Sequence, residues 1–192
     1  MCVFDVAAKE AEIARFRHAY PQAAEAGRGH SALRGCEDVR WSEFPGCPAD
    51  IPVLLYSLLD QAAAPEAGRV LSNAMHNSIR EMNAAVPTVL PFLLRLVDDP
   101  HVPGWSEALD LLVMAAQFAE PVDENHEAEV LWFGSDSDHP EREQCRAVFA
   151  DHVSVVAMLP EELIGSAGQT ALWQAAGLRT TRSPGDDEGW VE

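Results

Sequence analysis

The chain has 192 residues, 47% of them hydrophobic, and 31 Asp and Glu against 13 Lys and Arg give it a net charge of −18. A chain of this length folds as one domain or two small ones and buries roughly 70% of its unfolded surface. The acidic balance argues against a binder of nucleic acid or of an anionic membrane, which need cations to displace counterions, and apolar content gathered in blocks argues against disorder.

In chain order, Asp5 to Tyr20 reads as a helix: Asp5 caps it, Val6, Ile13 and Phe16 form an apolar stripe, and Pro21 stops it. Lys9, Glu10, Glu12, Arg15 and Arg17 break the stretch that a secretory signal would need, so none is expected. Residues 21–48 hold four glycines and three prolines with no sustained period, and are expected to form a long, partly ordered connection that can pack Trp41 and Phe44 on the core. Asp50 is then expected to cap a helix with Pro52 in its first turn and Val53, Leu54, Leu55, Leu58 and Leu59 inward. Pro65 opens a second helix reaching about Arg80, with Val70, Leu71, Ala74 and Met75 inward. Pro87 and Pro91 bracket the start of a third, Leu90 to Val97, and Pro103-Gly104 precede a fourth, Trp105 to Phe118. That last helix is apolar almost all round, the mark of an element sandwiched between neighbours. No stretch alternates with period two, so an all-α fold is expected.

The pattern repeats. Ile51-Pro52-Val53-Leu54-Leu55 overlays Leu90-Pro91-Phe92-Leu93-Leu94, with Pro52 and Pro91 39 positions apart, about the length of a two-helix unit. A weaker copy, Asp151 to Glu161, follows 62 positions later, 23 more than one repeat, and Glu120 to Arg142 is an acidic segment of 23 residues. The expected architecture is a short α-α solenoid: two helix pairs over 49–119, an acidic insertion at 120–139, a third pair over 140–178, and a disordered tail at 179–192. Stacked pairs share a core that one pair cannot close, and insertions emerge on one side.

Several of these segments resemble small bacterial HEAT-like repeat proteins. The resemblance lies in Trp41, Pro45-Gly46 and Asp50-Ile51-Pro52-x-Leu54-Leu55, in Pro87 to Leu96, in Glu107 to Leu112 and in Cys145-Arg146-Ala147-Val148. His76-Asn77 falls where many such proteins carry a His-Gln pair closing a helix, while Ser78 to Met82 departs from their usual turn. It covers about residues 41 to 160. It implies stacked helices and is silent on activity.

Candidate chemistry is sparse. Cys2, Cys36, Cys47 and Cys145 show no CxxC spacing, so free thiols in a reducing cytoplasm are expected, a Cys36–Cys47 bridge being the alternative. No apolar stretch reaches the roughly 18 residues that cross a bilayer. His126, Asp136, Asp138 and His139 can be drawn as metal ligands, but without HExxH or EF-hand spacing. No nucleophile elbow or Gly-rich phosphate loop is present. No enzyme, cofactor or metal is therefore expected, and His76 is expected to link repeats. Between Glu120 and Asp151, ten acids face two arginines, a local charge of −8, around Val130-Leu131-Trp132-Phe133-Gly134. Aromatics ringed by carboxylates suit a basic protein partner: Trp132 and Phe133 as anchors, Glu124, Glu127, Glu129, Asp136 and Asp138 as the acidic rim. The competing expectation is that the two aromatics tuck onto the scaffold and the acids only solvate the loop. The sharpest functional expectation is a cytoplasmic immunity protein that neutralises a basic toxin. An adaptor or regulatory subunit is the alternative, and a metal-dependent hydrolase the third.

Overall fold

The computed structural model describes residues 5–78 and 81–178. The expected disordered tail, and Ile79 and Arg80 in the turn that departs from the repeat pattern, lie outside the described residues. Within them the chain forms ten α-helices and one two-stranded hairpin.

Helix α1 (Val6–Ala19) starts as its sequence requires, the Asp5 carboxylate accepting the Ala7 N–H at 3.3 Å. Its buried stripe is Lys9, Ile13 and Phe16, spaced one helical turn apart; Lys9 stands in the line where an apolar residue belongs. Residues 21–48, expected as a long, partly ordered connection, are ordered along their length, with Trp41 in the core and Phe44 packed against it. They fold into α2 (Ala23–Gly27) and two single 3-10 turns, and bury Leu33, Cys36, Trp41 and Cys47. Trp41 donates its indole N–H to the Cys36 carbonyl at 2.9 Å and faces the Phe92 ring at 6.2 Å. Short turns of this kind have no period to read, because what orders them is the surface they cover.

Helix α3 (Ile51–Ser57) buries Leu54 and Leu55 completely. Asp50 precedes it without capping it, since the carboxylate turns away to Arg17, 3.0 Å distant. Helix α4 (Ala64–Met75) buries Val70, Leu71, Ala74 and Met75, but ends five residues before the sequence pattern suggests. There β1 (His76–Ser78) turns back to pair with β2 (Glu81–Met82), His76 opposite Met82. Among the described residues this hairpin is the one strand pairing, and periodicity missed it.

The early stop of α4 follows from hydrogen bonding. A helix leaves its last four carbonyls unpaired, and here each finds a donor. Ser72 O faces His76 Nδ1 at 2.7 Å, Asn73 O accepts the His76 N–H, Ala74 O accepts from Lys9 at 3.2 Å, and Met75 O accepts the Asn83 N–H at 2.7 Å. His76 thus closes the helix, and its ring meets Phe118 edge-on at 5.0 Å.

Helix α5 (Val86–Val97) begins four residues earlier than expected. Asn83 Oδ1 accepts the Ala85 N–H at 2.8 Å and organises the entry, Pro87 sits where its missing N–H costs nothing, and Pro91 is carried inside the helix. Helix α6 (Trp105–Phe118) has the expected bounds. Gly104, just before it, donates to Leu58 O at 2.8 Å, and the Trp105 indole reaches Val97 O at the same distance. After the insertion, which contains the short α7 (Glu127–Phe133), come α8 (Pro140–Asp151), α9 (Val153–Met158) and α10 (Glu161–Ala175), the last bent at Gly165, whose φ is +65°.

Helix α1 packs on α4, and α2 on α3. Helix α4 packs on α3 and α6, α5 on α6 and α8, and α10 on α6 and α8. One buried apolar cluster runs from Ile13 to Ala176 through these contacts. Cys36, Cys47 and Cys145 are free thiols inside it. Among the described residues no helix is long and apolar enough to cross a membrane.

Candidate functional site: the acidic flap

Residues 120–139 leave the end of α6, make α7 and return at α8. The sequence showed no helical period here, yet local chemistry builds a short helix. His126 Nδ1 accepts the Glu129 N–H at 3.3 Å, Glu127 and Glu129 lie in the first turn near its positive end, and Gly134, with φ +71°, closes it by donating to Val130 O at 2.9 Å. No residue of α7 is buried. Leu131 is 85% exposed, Trp132 53% and Phe133 47%. Trp132 and Phe133 are thus about half covered, and neither is buried in the scaffold.

What holds the flap is a pair of arginines one turn apart on α8. Arg142, only 4% exposed, donates to the carbonyls of Phe133 and, at 3.4 Å, of Gly134. Arg146 donates to Ala119 O at 2.7 Å, where the flap begins. Between them sits Asp136, 2.8 Å from Arg146 Nη2 and 3.5 Å from Arg142 Nη1. The two cations that the sequence set against ten acids thus face inward, clasping the flap at both ends. The signal for this was present in the spacing of 142 and 146 on a helix opened by Pro140, but the partners were not.

The expected rim residues divide accordingly. Glu124 and Glu127 are exposed. Glu129 is half-buried, accepts the Asp123 N–H at 3.3 Å and lies 3.7 Å from His126 Nδ1. Asp138 is exposed and accepts from Ser135 Oγ at 2.8 Å. Asp136 belongs to the clasp, not to the outer face. Asp123 is held below the usual carboxylate range by the backbone N–H and then the side chain of Asn125. His139, one of the residues drawn as a metal ligand, pairs with Glu141 at 2.9 Å instead and lies against Gly134, where any Cβ would come within 2.6 Å of its ring. Among the described residues no three His, Cys, Asp or Glu side chains converge on one point.

Behind α7, between the flap and the end of α6, lies an open cavity of about 480 Å³. Phe118, Pro121, Val122 and Phe133 form its apolar walls, and Glu120 and Glu129 also line it. No family model, curated protein or solved structure matches the chain.

Proposed function

We propose that the protein is a non-enzymatic binding module whose acidic flap docks a basic protein partner. The observation that carries this is the exposed ridge Leu131-Trp132-Phe133 on a pinned helix, edged by Glu124, Glu127, Glu129 and Asp138. Monomeric surfaces rarely display contiguous large apolar side chains without a use for them. A flap anchored at Ala119 and at Phe133-Gly134 loses less freedom on binding than a free loop, and the surrounding acids raise the encounter rate with a cationic surface.

The scaffold we infer is a stack of helix pairs, α3/α4, α5/α6 and α8/α10, with α1 and α2 covering the first pair. Contacts of α4 with α6, α5 with α8 and α6 with α10 support this order. The short solenoid of HEAT-like units expected from the repeat places its third pair over the same residues, 140–178, although the weaker copy, Asp151 to Glu161, falls on α9 rather than on α8. In the sharpest form of the proposal the partner is a toxin that acts on nucleic acid, and the flap occupies the cationic surface meant for phosphates, making this chain its cytoplasmic immunity protein. The net charge of −18 favours that form. The exposed ridge also supports an adaptor role, in which apolar contact outweighs charge.

Retention of the native partner on immobilised protein, measured from low to high salt, tests the proposal. Acid-led recognition predicts release as salt rises and loss of capture when Glu124, Glu127 and Glu129 are changed to Lys. Capture indifferent to both would sink it. Capture resistant to salt but lost in Trp132→Ala favours the adaptor.

A further inference from the structure

We infer that the cavity behind α7 is a receptor for a single arginine or lysine side chain of the partner. The inference rests on the binding-module reading and adds a second, reciprocal contact: the flap inserts its ridge into the partner, and the partner inserts a cation behind the flap.

The cavity, about 480 Å³, is of the size that holds a small group. Its walls suit an amphipathic chain. Phe118, Pro121, Val122 and Phe133 offer apolar surface to a methylene stem, and the faces of the two phenyl rings attract a cation. Glu120, just after α6, and Glu129, on α7, both line the same space. The one cation lining it, Arg142, is engaged elsewhere: its donors go to the Phe133 and Gly134 carbonyls and to Asp136. Two carboxylates against one guanidinium give the lining a net charge of −1, which favours a cation, although Glu129 also accepts the Asp123 N–H at 3.3 Å. The clasp bounds it, since Arg142 and Arg146 tie both ends of the flap to α8. An arginine fits better than a lysine, because a planar guanidinium can stack on a ring while donating to a carboxylate at its edge.

The test uses two small probes on the full chain followed by amide NMR: N-acetyl-arginine methylamide and its neutral citrulline counterpart. The expected result is saturable movement of the Phe118, Val122 and Phe133 amides with the arginine probe and none with citrulline. Changing Glu120 and Glu129 together to Gln should weaken binding by about tenfold or more, while changing Glu124 and Glu127 to Gln should alter it less than about twofold. Phe133→Ala, which keeps every charge, should also weaken it. Equal response to citrulline, movement that never saturates, or full binding by the Glu120→Gln, Glu129→Gln protein would overturn the inference. The two readings fail separately. A native partner retained by acid-led contacts, with the arginine probe giving no response, removes the receptor and keeps the module. A saturating arginine probe, with partner capture indifferent to salt, keeps the receptor and removes acid-led docking.

Discussion

The ammonium group of Lys9 donates to the carbonyl oxygen of Ala74 at 3.2 Å, across 65 residues of sequence. Lys9 is the only lysine in the chain and is 3% exposed. It donates as well to Gly46 O at 2.9 Å and to Asn77 Oδ1 at 3.4 Å, so one cation joins α1, the turn before α3 and the end of α4. Replacing it with Met keeps the volume but leaves buried acceptors unpaired, and should cost about 3 kcal/mol. Chemical denaturation measures this, and a loss below about 0.5 kcal/mol would contradict the role.

The clasp makes a more local prediction. Asp136→Ala removes the carboxylate between two guanidinium groups and should cost about 1–2 kcal/mol, with faster proteolytic cleavage inside 120–139. Asp138→Ala, on the exposed side, should stay within about 0.5 kcal/mol and leave the cleavage rate unchanged. Equal behaviour of the two variants would remove the distinction between clasp and rim.

Alkali should destabilise the fold through its thiols. Burial pushes Cys47 from 9.0 up to about 11 and Cys145 from 9.0 up to about 12. The folded state therefore keeps protons that the unfolded chain releases, so this stabilisation is complete below pH 9 and is lost as pH rises toward the folded values. Lys9 acts in the opposite sense: burial lowers its value below 10.5, so its contribution improves as pH climbs toward that figure. Three raised thiols, Cys36 among them, act against one lysine, and the midpoint of thermal unfolding should fall between pH 9 and 10.5. Cys145→Ala, though less stable at neutral pH, should show a flatter decline. A Cys145→Ala slope equal to that of the parent would contradict the assignment.

Helices α2 and α3 meet at Gly27. A Cβ there would lie 2.5 Å from Tyr56 Cα and 2.6 Å from Tyr56 O, both backbone atoms that cannot swing aside. Gly27→Ala should cost about 3 kcal/mol by forcing the helices apart. A neutral result by thermal unfolding would mean that α2 is not seated as described.

How far the sequence could be read depended on where each element found its partners. Helix α6 was legible to the residue, because Gly104 and an apolar surface on every side are local facts. The end of α4 was not, since its stop depends on Lys9 and Asn83 rather than on any breaker at Met75. Asp50 looked like a cap because its type suits one, but Arg17 is 3.0 Å away and competes for the carboxylate. The flap's acidity and its apolar centre were visible from composition. Its helix was hidden because His126, an unusual cap, begins it, and the inward turn of Arg142 and Arg146 was hidden because backbone carbonyls, which carry no sequence signal, receive them.

The junction at Ala74 also orders events during synthesis. Residue 9 leaves the ribosome some seconds before residue 74, at about 5–20 residues per second, and until then its ammonium can only stay in water. Helix α1, made well before α4, is thus among the elements that must wait to dock, and a mutation at Lys9 should slow the appearance of native protein as well as weaken it.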